Sequence, residues 1–318
     1  MDKQKKISIA FPTYNEGESV FDVLSSVFSQ DYPRELLEVF IVDDDSTDNT
    51  VKKAKKFPVK IIHNGTRDPE KGKLIALKKA TGSFFTYIEG DLLLRGRNWF
   101  NLMLQPLIDN EKIAASFTSY YFEDQGPLIN KYLTIDPIQR DPLHRFFTPT
   151  IAECIVATRD DYFICRYKKD RVVPQGLCMY RKKFLNEIYS NKTAGKDRIL
   201  ELDTLVYLLE EGYDLFAYVP KAGYYHRHVK SLGDLLQKRR RNLLKVFLPD
   251  EESRKFRWAD FSSLKGKIKI ILWVIYAETF VLPLLVGIKR SIKYRTLLAL
   301  YEPFVAWLET NILIFSLL

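Results

Sequence analysis

The 318-residue chain holds only three cysteines and four histidines, and it has no glycine-rich phosphate loop. Cys154, Cys165 and Cys178 are odd in number and lack C-x-x-C or histidine-paired spacing, which argues against a disulfide framework and a cysteine zinc site. They read as reduced core thiols, as expected of a cytosolic catalytic part. Neither G-x-G-x-x-G nor G-x-x-x-x-G-K-[ST] follows the first apolar strand, so dinucleotide dehydrogenases, P-loop NTPases and sugar nucleotidyltransferases are poor readings. With no zinc finger or RNA-recognition motif, no nucleic-acid partner is expected. Lys3, Lys5 and Lys6 precede only five apolar or small residues before Pro12. That is too short for a signal peptide, and the chain is expected to begin in the cytoplasm.

An apolar content of 46% supports a real core rather than disorder. The net charge of +9 is unevenly placed: residues 221–300 hold 18 Lys/Arg against 6 Asp/Glu, whereas residues 1–220 hold 31 against 32. The basic excess adjoins an apolar tail, which favours an anionic membrane surface over nucleic acid. Ile270–Ile288, containing Glu278 and Pro283, and Thr296–Leu318, containing Glu302 and Glu309, are runs of spanning length. Lys289, Arg290, Lys293 and Arg295 lie between them, against the positive-inside tendency if the first run crosses. Two spans and a shallow interfacial hairpin both remain open.

Along the N-terminal half, apolar runs at 7–11, 39–42, 59–62 and 83–88 alternate with helical spacings, notably Val20, Val23, Leu24, Val27 and Phe28. This β-α-β order predicts right-handed crossovers and a mainly parallel α/β sheet. Ligands in such sheets bind beyond the carboxyl ends of the strands. Thr13–Glu16, Asp43–Asp45 and Glu89–Asp91 all fall there. The last of these strands reads as ending at Glu89, and residues i and i+2 of extended backbone share a side, so Glu89 and Asp91 are expected to grip one hard divalent cation. A fold without a phosphate loop needs such a cation for a diphosphate. Residues 111–170, with four prolines between 127 and 149, read as irregular. A strand at 215–219 is expected to stop at Pro220.

Phe11-Pro12-Thr13-Tyr14-Asn15-Glu16, Val42-Asp43-Asp44-Asp45-Ser46-Thr47-Asp48, and Gly72-Lys73 ahead of Glu89-Gly90-Asp91 resemble the GT-A domain of family 2 glycosyltransferases over residues 7–91. The resemblance implies a GT-A catalytic domain over 1–228, while charge and hydropathy point to a basic amphipathic interfacial segment over 229–266 and an apolar helical hairpin, membrane-associated or transmembrane, over 267–318. It further implies nucleotide-sugar contacts from Pro12, Tyr14, Glu16, Asp43, Asp44, Lys73 and Glu89, and a Mg²⁺ or Mn²⁺ ion on Asp91 and Glu89, with His226 as a third contact. Glu89 stands where the family usually has Asp. Gln175 and Gly176 would face the donor sugar. Leu200-Glu201-Leu202-Asp203-Thr204-Leu205, followed by Gly212-Tyr213, is similar to the block whose acid is the catalytic base. Counting back from Gly212 puts Glu201 on the base position and Asp203 on the next acid. Asp203 is favoured, with Glu201 close behind. Gln237 and Arg240 resemble the Q-x-x-R-W of processive members, and Arg241 in place of Trp argues for a non-processive enzyme.

The expectation is an inverting enzyme at the cell membrane, its catalytic domain on the cytoplasmic side. It would move sugar from a nucleotide-diphosphate donor to a polyprenyl phosphate, lipid-linked sugar or polysaccharide. The alternative is a catalytically inactive nucleotide-sugar-binding protein or membrane scaffold.

Overall fold

The computed structural model describes residues 5–138, 141–190, 197–244, 254–257 and 262–317. Its contacts divide the chain into one unit comprising Met1–Tyr121 and Ile151–His226, and another comprising Phe122–Thr150 and Arg227–Leu318. In chain order the elements are β1 (Ile7–Thr13), α1 (Val20–Phe28), β2 (Leu37–Asp43), α2 (Thr50–Ala54), β3 (Val59–His63), α3 (Pro69–Lys79), β4 (Phe84–Tyr87), β5 (Leu92–Leu94), α4 (Trp99–Asp109) and β6 (Ile113–Tyr121). Next come α5 (Leu128–Leu133), α6 (Pro142–Phe147), β7 (Ile155–Thr158), β8 (Phe163–Arg166), β9 (Cys178–Arg181), α7 (Lys182–Ser190), α8 (Glu201–Glu210) and β10 (Leu215–His226). The chain ends with α9 (Leu232–Asn242), α10 (Leu264–Glu278), α11 (Val281–Tyr294) and α12 (Glu302–Leu317).

In the first unit, β1 and β2 are buried along their whole length, as strands with both sheet faces covered must be. α1 buries Val20, Val23, Leu24, Val27 and Phe28, the stripe its spacing predicts. The strands run in the order β3-β2-β1-β4-β9-β6-β10-β8-β7, with β5 against β10. The expected parallel pairing holds for β3-β2-β1-β4, and β6 also pairs with β10 in parallel. β5, β7, β8 and β9 pair antiparallel, which makes the whole sheet mixed.

Two expectations need correction. Residues 113–121 are not irregular but form a strand buried except at its last residue. The proline-bearing stretch 122–150 belongs to the second unit, not to the first. Nor does Pro220 end its strand. A register shift between Val219 and Tyr224 carries β10 past it as a bulge. The Thr118 hydroxyl bridges this bulge, donating to the Val219 carbonyl at 2.6 Å and accepting from the Gly223 amide at 2.7 Å. Gly223 has φ +65°, and a Cβ there would stand 2.7 Å from the Tyr121 ring. The bulge thereby delivers His226 opposite Leu92 of β5.

At the amino ends of β1 and β2, a buried Glu38 ties three segments together. Its carboxylate accepts from the Ser8 hydroxyl at 2.7 Å, the Thr81 amide at 2.8 Å and the Lys60 ammonium at 2.8 Å. Burial pushes the Glu38 carboxyl up, but the Lys60, Thr81 and Ser8 hydrogen bonds outweigh it and hold the group down at about 2. A lowered folded value means stability that is present above the ordinary 4.5 and lost as pH falls toward 2. Glu38→Gln is therefore expected to cost up to about 3 kcal/mol at neutral pH and to flatten the acid limb of the stability–pH curve. Urea melts at pH 7 and pH 3 check this, and an unchanged acid limb would refute it.

In the second unit, Leu143, Trp273, Ala277 and Ala306 form a buried cluster flanked by Phe146 and Phe147. Among the described residues, Leu297–Phe315 is long and apolar enough to cross a membrane, while α10 and α11 are bent by 77° at the break between them. Residues 245–253 and 258–261 of the expected interfacial segment at 229–266 lie outside the described residues.

Candidate active site

The carboxyl ends of β1, β2 and β3 open into loops that carry three left-handed residues, Asn15 (φ 54°), Asp45 (φ 62°) and Arg67 (φ 52°). Such conformations persist only where the surroundings enforce them, and here the acidic run supplies the enforcement. The Asn15 side-chain carbonyl accepts from the Thr47 amide at 2.9 Å, and the Asn15 amide donates to the Ser46 hydroxyl at 3.0 Å. Asp48 accepts from the Gly17 amide at 2.9 Å and from the Thr50 amide at 2.9 Å. Asp44 accepts from the Arg67 amide at 2.7 Å and from Asn64 at 3.3 Å. Asp44 is thus a loop brace, with both oxygens engaged.

Asp43 differs. Its Oδ2 accepts from the Ser46 amide at 3.1 Å, but its buried Oδ1 has no hydrogen-bond partner. Thr13 is its register neighbour across β1 and β2, and the Thr13 hydroxyl is likewise buried and unpartnered. Two adjacent polar groups left unsatisfied at strand tips are costly unless a ligand completes them. Pro12 precedes this pair at the end of β1, and the exposed Tyr14 ring beyond it stacks 5.0 Å from the Arg67 guanidinium.

The next strand departs from expectation. β4 ends at Tyr87, residues 88 and 89 lie outside it, and residues 90 and 91 form a turn. Because the i, i+2 rule holds only for extended backbone, Glu89 and Asp91 do not present as a matched pair. Glu89 Oε1 accepts from the Lys73 ammonium at 2.8 Å, whereas Asp91 Oδ2 lies 3.1 Å from His226 Nε2. The sheet brings Asp91 and His226 together from residues 135 apart, through the β10 bulge and the β5–β10 pairing. Tyr120 steadies that end of the strand, its ring edge-on to the imidazole at 5.6 Å and its hydroxyl donating to the His226 carbonyl at 2.8 Å. Glu16 leans against the same turn, since a Cβ on Gly90 would fall 2.4 Å from the Glu16 carboxyl carbon.

Lys73 is buried on α3, whose start is fixed by Asp68, which accepts from the Glu70 amide at 2.9 Å, and by Pro69 in the first turn. The Lys73 ammonium reaches Glu70 and Glu89 at 2.8 Å each and sits 4.3 Å from the Tyr87 ring centroid. Burial pulls its pKa down, but Glu70 and Glu89 outweigh this and raise it. Glu70 was not singled out from the sequence, although its i, i+3 spacing to Lys73 on one helix is a readable signal.

Glu201, in the first turn of α8, belongs to this charge cluster. Burial pushes its carboxyl up to about 8, the Lys73 charge opposes that, and Glu89 and Glu70 add to it. Asp203 is buried on another side of the same helix, beside Tyr189 and Tyr207. The structure therefore brings Glu201, rather than Asp203, to Lys73 and Glu89. Gln175 is buried just ahead of β9, its amide nitrogen unpartnered. A Cβ on Gly176 would stand 2.7 Å from the Tyr224 hydroxyl and 3.1 Å from the Thr118 carbonyl, so only glycine fits. Gln237 and Arg240 lie on α9, in the second unit.

Comparison with known proteins adds three findings. The poly(ribitol-phosphate) beta-N-acetylglucosaminyltransferase TarS of Staphylococcus aureus is 34% identical over 92 residues, 27% of this chain and 16% of that protein. A UDP-Glc:alpha-D-GlcNAc-diphosphoundecaprenol beta-1,3-glucosyltransferase, WfgD of Escherichia coli, is 27% identical over 141 residues, 43% of this chain and 54% of that protein. The chain thus spans from a sixth to about half the length of these two relatives. In overall fold it is similar to the mannosyltransferase PcManGT of Pyrobaculum calidifontis, whose structure holds GDP-Man and Mn²⁺, with a TM-score of 0.53 and 17% identity over 99% of this chain and 87% of that one. Residues 8–189, more than half of the chain, match the glycosyl transferase family 2 model, and the chain belongs to that family.

Proposed function

We propose that the chain is an inverting, divalent-metal-dependent glycosyltransferase moving a sugar from a nucleoside-diphosphate donor to an acceptor held at a membrane surface. The observation that carries this reading is the Asp91–His226 pair, an oxygen and an imidazole nitrogen 3.1 Å apart at a strand end. That donor set fits Mn²⁺, which accepts both carboxylate and imidazole, and also Mg²⁺ through the carboxylate. The ion, when bound, supplies charge neutralisation at the departing diphosphate.

The remaining roles fall to the chain's own residues. The unpartnered atoms of Thr13 and Asp43 hold the nucleoside, beside Pro12, Tyr14 and Glu16, over a loop braced by Asp44. Lys73 steers Glu89, and its charge favours the anionic end of the donor. Gln175 and Gly176 line the sugar. Glu201 takes the proton from the acceptor hydroxyl as that oxygen attacks the anomeric carbon, opposite the departing diphosphate, which inverts the centre. The printed names of the relatives, one acting on a diphosphoundecaprenol sugar and one on poly(ribitol-phosphate), support a lipid-linked or glycan acceptor. On this reading the enzyme works at the cell membrane, with its catalytic unit on the cytoplasmic side.

Asp91→Asn is expected to weaken Mn²⁺-dependent binding of a nucleoside diphosphate by at least about tenfold, as loss of a metal-site partner does. Calorimetry with and without Mn²⁺ reads this, and an unaltered metal dependence overturns the assignment. The rival reading is an inactive nucleotide-sugar binder or scaffold, which the engagement of Glu89 by Lys73 favours. Sugar transfer by the wild-type chain decides against it.

A further inference from the structure

We propose that α10 and α11 form a re-entrant wedge that enters one leaflet of an anionic bilayer without crossing it. This deepens the membrane-surface reading above and rests on it. The second unit is built with charge inside and apolar surface outside. On α12, Glu302 and Glu309 are 1% and 4% exposed, whereas Phe304 and Phe315 are 55% and 74% exposed. Glu302 accepts from Arg145 at 2.6 Å and from the Tyr132 hydroxyl at 3.0 Å. A helix facing water shows the reverse arrangement, while inward-turned, paired charges are the rule where the solvent is lipid.

Exposed apolar residues run along both α10 and α11 and continue across the bend between them. Ile271, Leu272 and Ile275 precede it, and Val281, Leu282 and Leu285 follow it. Glu278 beside the bend accepts from Asn311 at 2.9 Å and is not left alone. Basic residues mark the two open ends: Lys265, Lys267 and Lys269 on α10, and Lys289, Lys293 and Arg295 at the end of α11. This distribution matches an anionic headgroup layer over hydrocarbon.

Geometry separates a wedge from a span. Helices of 15 and 14 residues are about 22 and 21 Å long, and at a 77° bend their junction stands about 13 Å from the line joining their ends. That is close to half of a hydrocarbon core of about 30 Å. A residue in the outer half of each helix is tied to one short helix. Lys269 donates to the Phe147 carbonyl of α6 at 3.4 Å, and Arg290 lies 3.8 Å from Glu302, which Arg145 of α6 holds. Six residues of α6 extend only about 9 Å, too little to reach both faces of a bilayer. The two basic ends therefore share one side.

The test uses the full chain on vesicles of phosphatidylcholine with or without phosphatidylglycerol, and a membrane-impermeant maleimide added outside. The native cysteines are buried, so new thiols report alone. Leu264→Cys and Tyr294→Cys are expected to react from outside on bound vesicles, and Leu284→Cys only when vesicles are absent. Lys289→Gln with Lys293→Gln is expected to lower partition onto the anionic vesicles about 25-fold, about fivefold per charge. Reaction of one end only after permeabilisation shows a crossing and overturns the wedge. Equal labelling of Leu284→Cys with and without vesicles overturns it too, as does a stable dimer in solution that covers this surface. Calorimetric nucleotide binding by the same variants keeps the outcomes apart. If binding persists while the wedge fails, the transferase reading stands.

Discussion

Glu201→Gln is expected to lower the turnover of sugar transfer by about a thousandfold while leaving donor binding within a few-fold of wild type. A positioned general base contributes roughly 10²–10⁴ in rate, and the glutamine keeps the shape of the side chain while losing the basic oxygen. The carboxyl of Glu201 is pushed up to about 8 by burial, with Lys73 opposing and Glu89 and Glu70 reinforcing. A base must be deprotonated to act. Wild-type turnover should therefore rise about tenfold per pH unit below 8 and level off above it. Lys73→Met removes a positive charge that opposes the shift and should move that limb to higher pH. Asp203→Asn, by contrast, disturbs a buried acid beside Tyr189 and Tyr207. It should destabilise α8 and leave the position of the limb unchanged. If the Asp203 variant loses the limb and the Glu201 variant keeps it, the two roles are reversed.

The contrast between these two acids marks how far the sequence could be read. Counting back from Gly212 put Glu201 on the base position, but which acid faces Lys73 depends on how α8 is turned against the sheet, and a first-turn spacing does not encode that. The strand tips were legible for a different reason. β1 and β2 are apolar runs ending at polar loops, and a parallel sheet brings such ends to one edge. Glu89 and Asp91 were misjudged because β4 stops two residues earlier than its apolar pattern suggests, and the turn separates them. β6 was missed because its segment, Ile-Ala-Ala-Ser-Phe-Thr-Ser-Tyr-Tyr, lies between two strands and covered faces, so it shows no alternation. Pro220 looked like a terminator because a bulge sustained by Thr118 and Gly223 has no signature in a single sequence. The pairing of Glu302 is invisible in its apolar run because its partner, Arg145, is 157 residues away.

That last pair sets the largest expected effect on stability. Glu302→Ala is expected to destabilise the second unit by roughly 3–5 kcal/mol, because it leaves the Arg145 guanidinium buried without its carboxylate. The side chains of Arg145 and Glu302 are only 14% and 2% exposed, so water cannot take over the lost contacts. Tyr132 loses its acceptor in the same step, and an unpaired buried hydroxyl adds to the cost. Removing both charges is a different experiment. Arg145→Met with Glu302→Met replaces the pair by apolar groups of similar reach, and buried ion pairs exchanged in this way are often neutral or better. The double variant should nonetheless recover only part of the loss, because the Tyr132 hydroxyl and the Arg290 guanidinium, 3.8 Å from Glu302, still lack that carboxylate. Hydrogen exchange of peptides from α5, α6 and α12 reads the effect where it arises, because local opening reports the stability of the segment itself. Protection in those helices should fall by two to three orders of magnitude in the single variant, which is what about 3–4 kcal/mol amounts to, and return in part in the double one. Unchanged protection in Glu302→Ala would mean that water reaches Arg145 after all, and with it the charge-inside construction of this unit would fail.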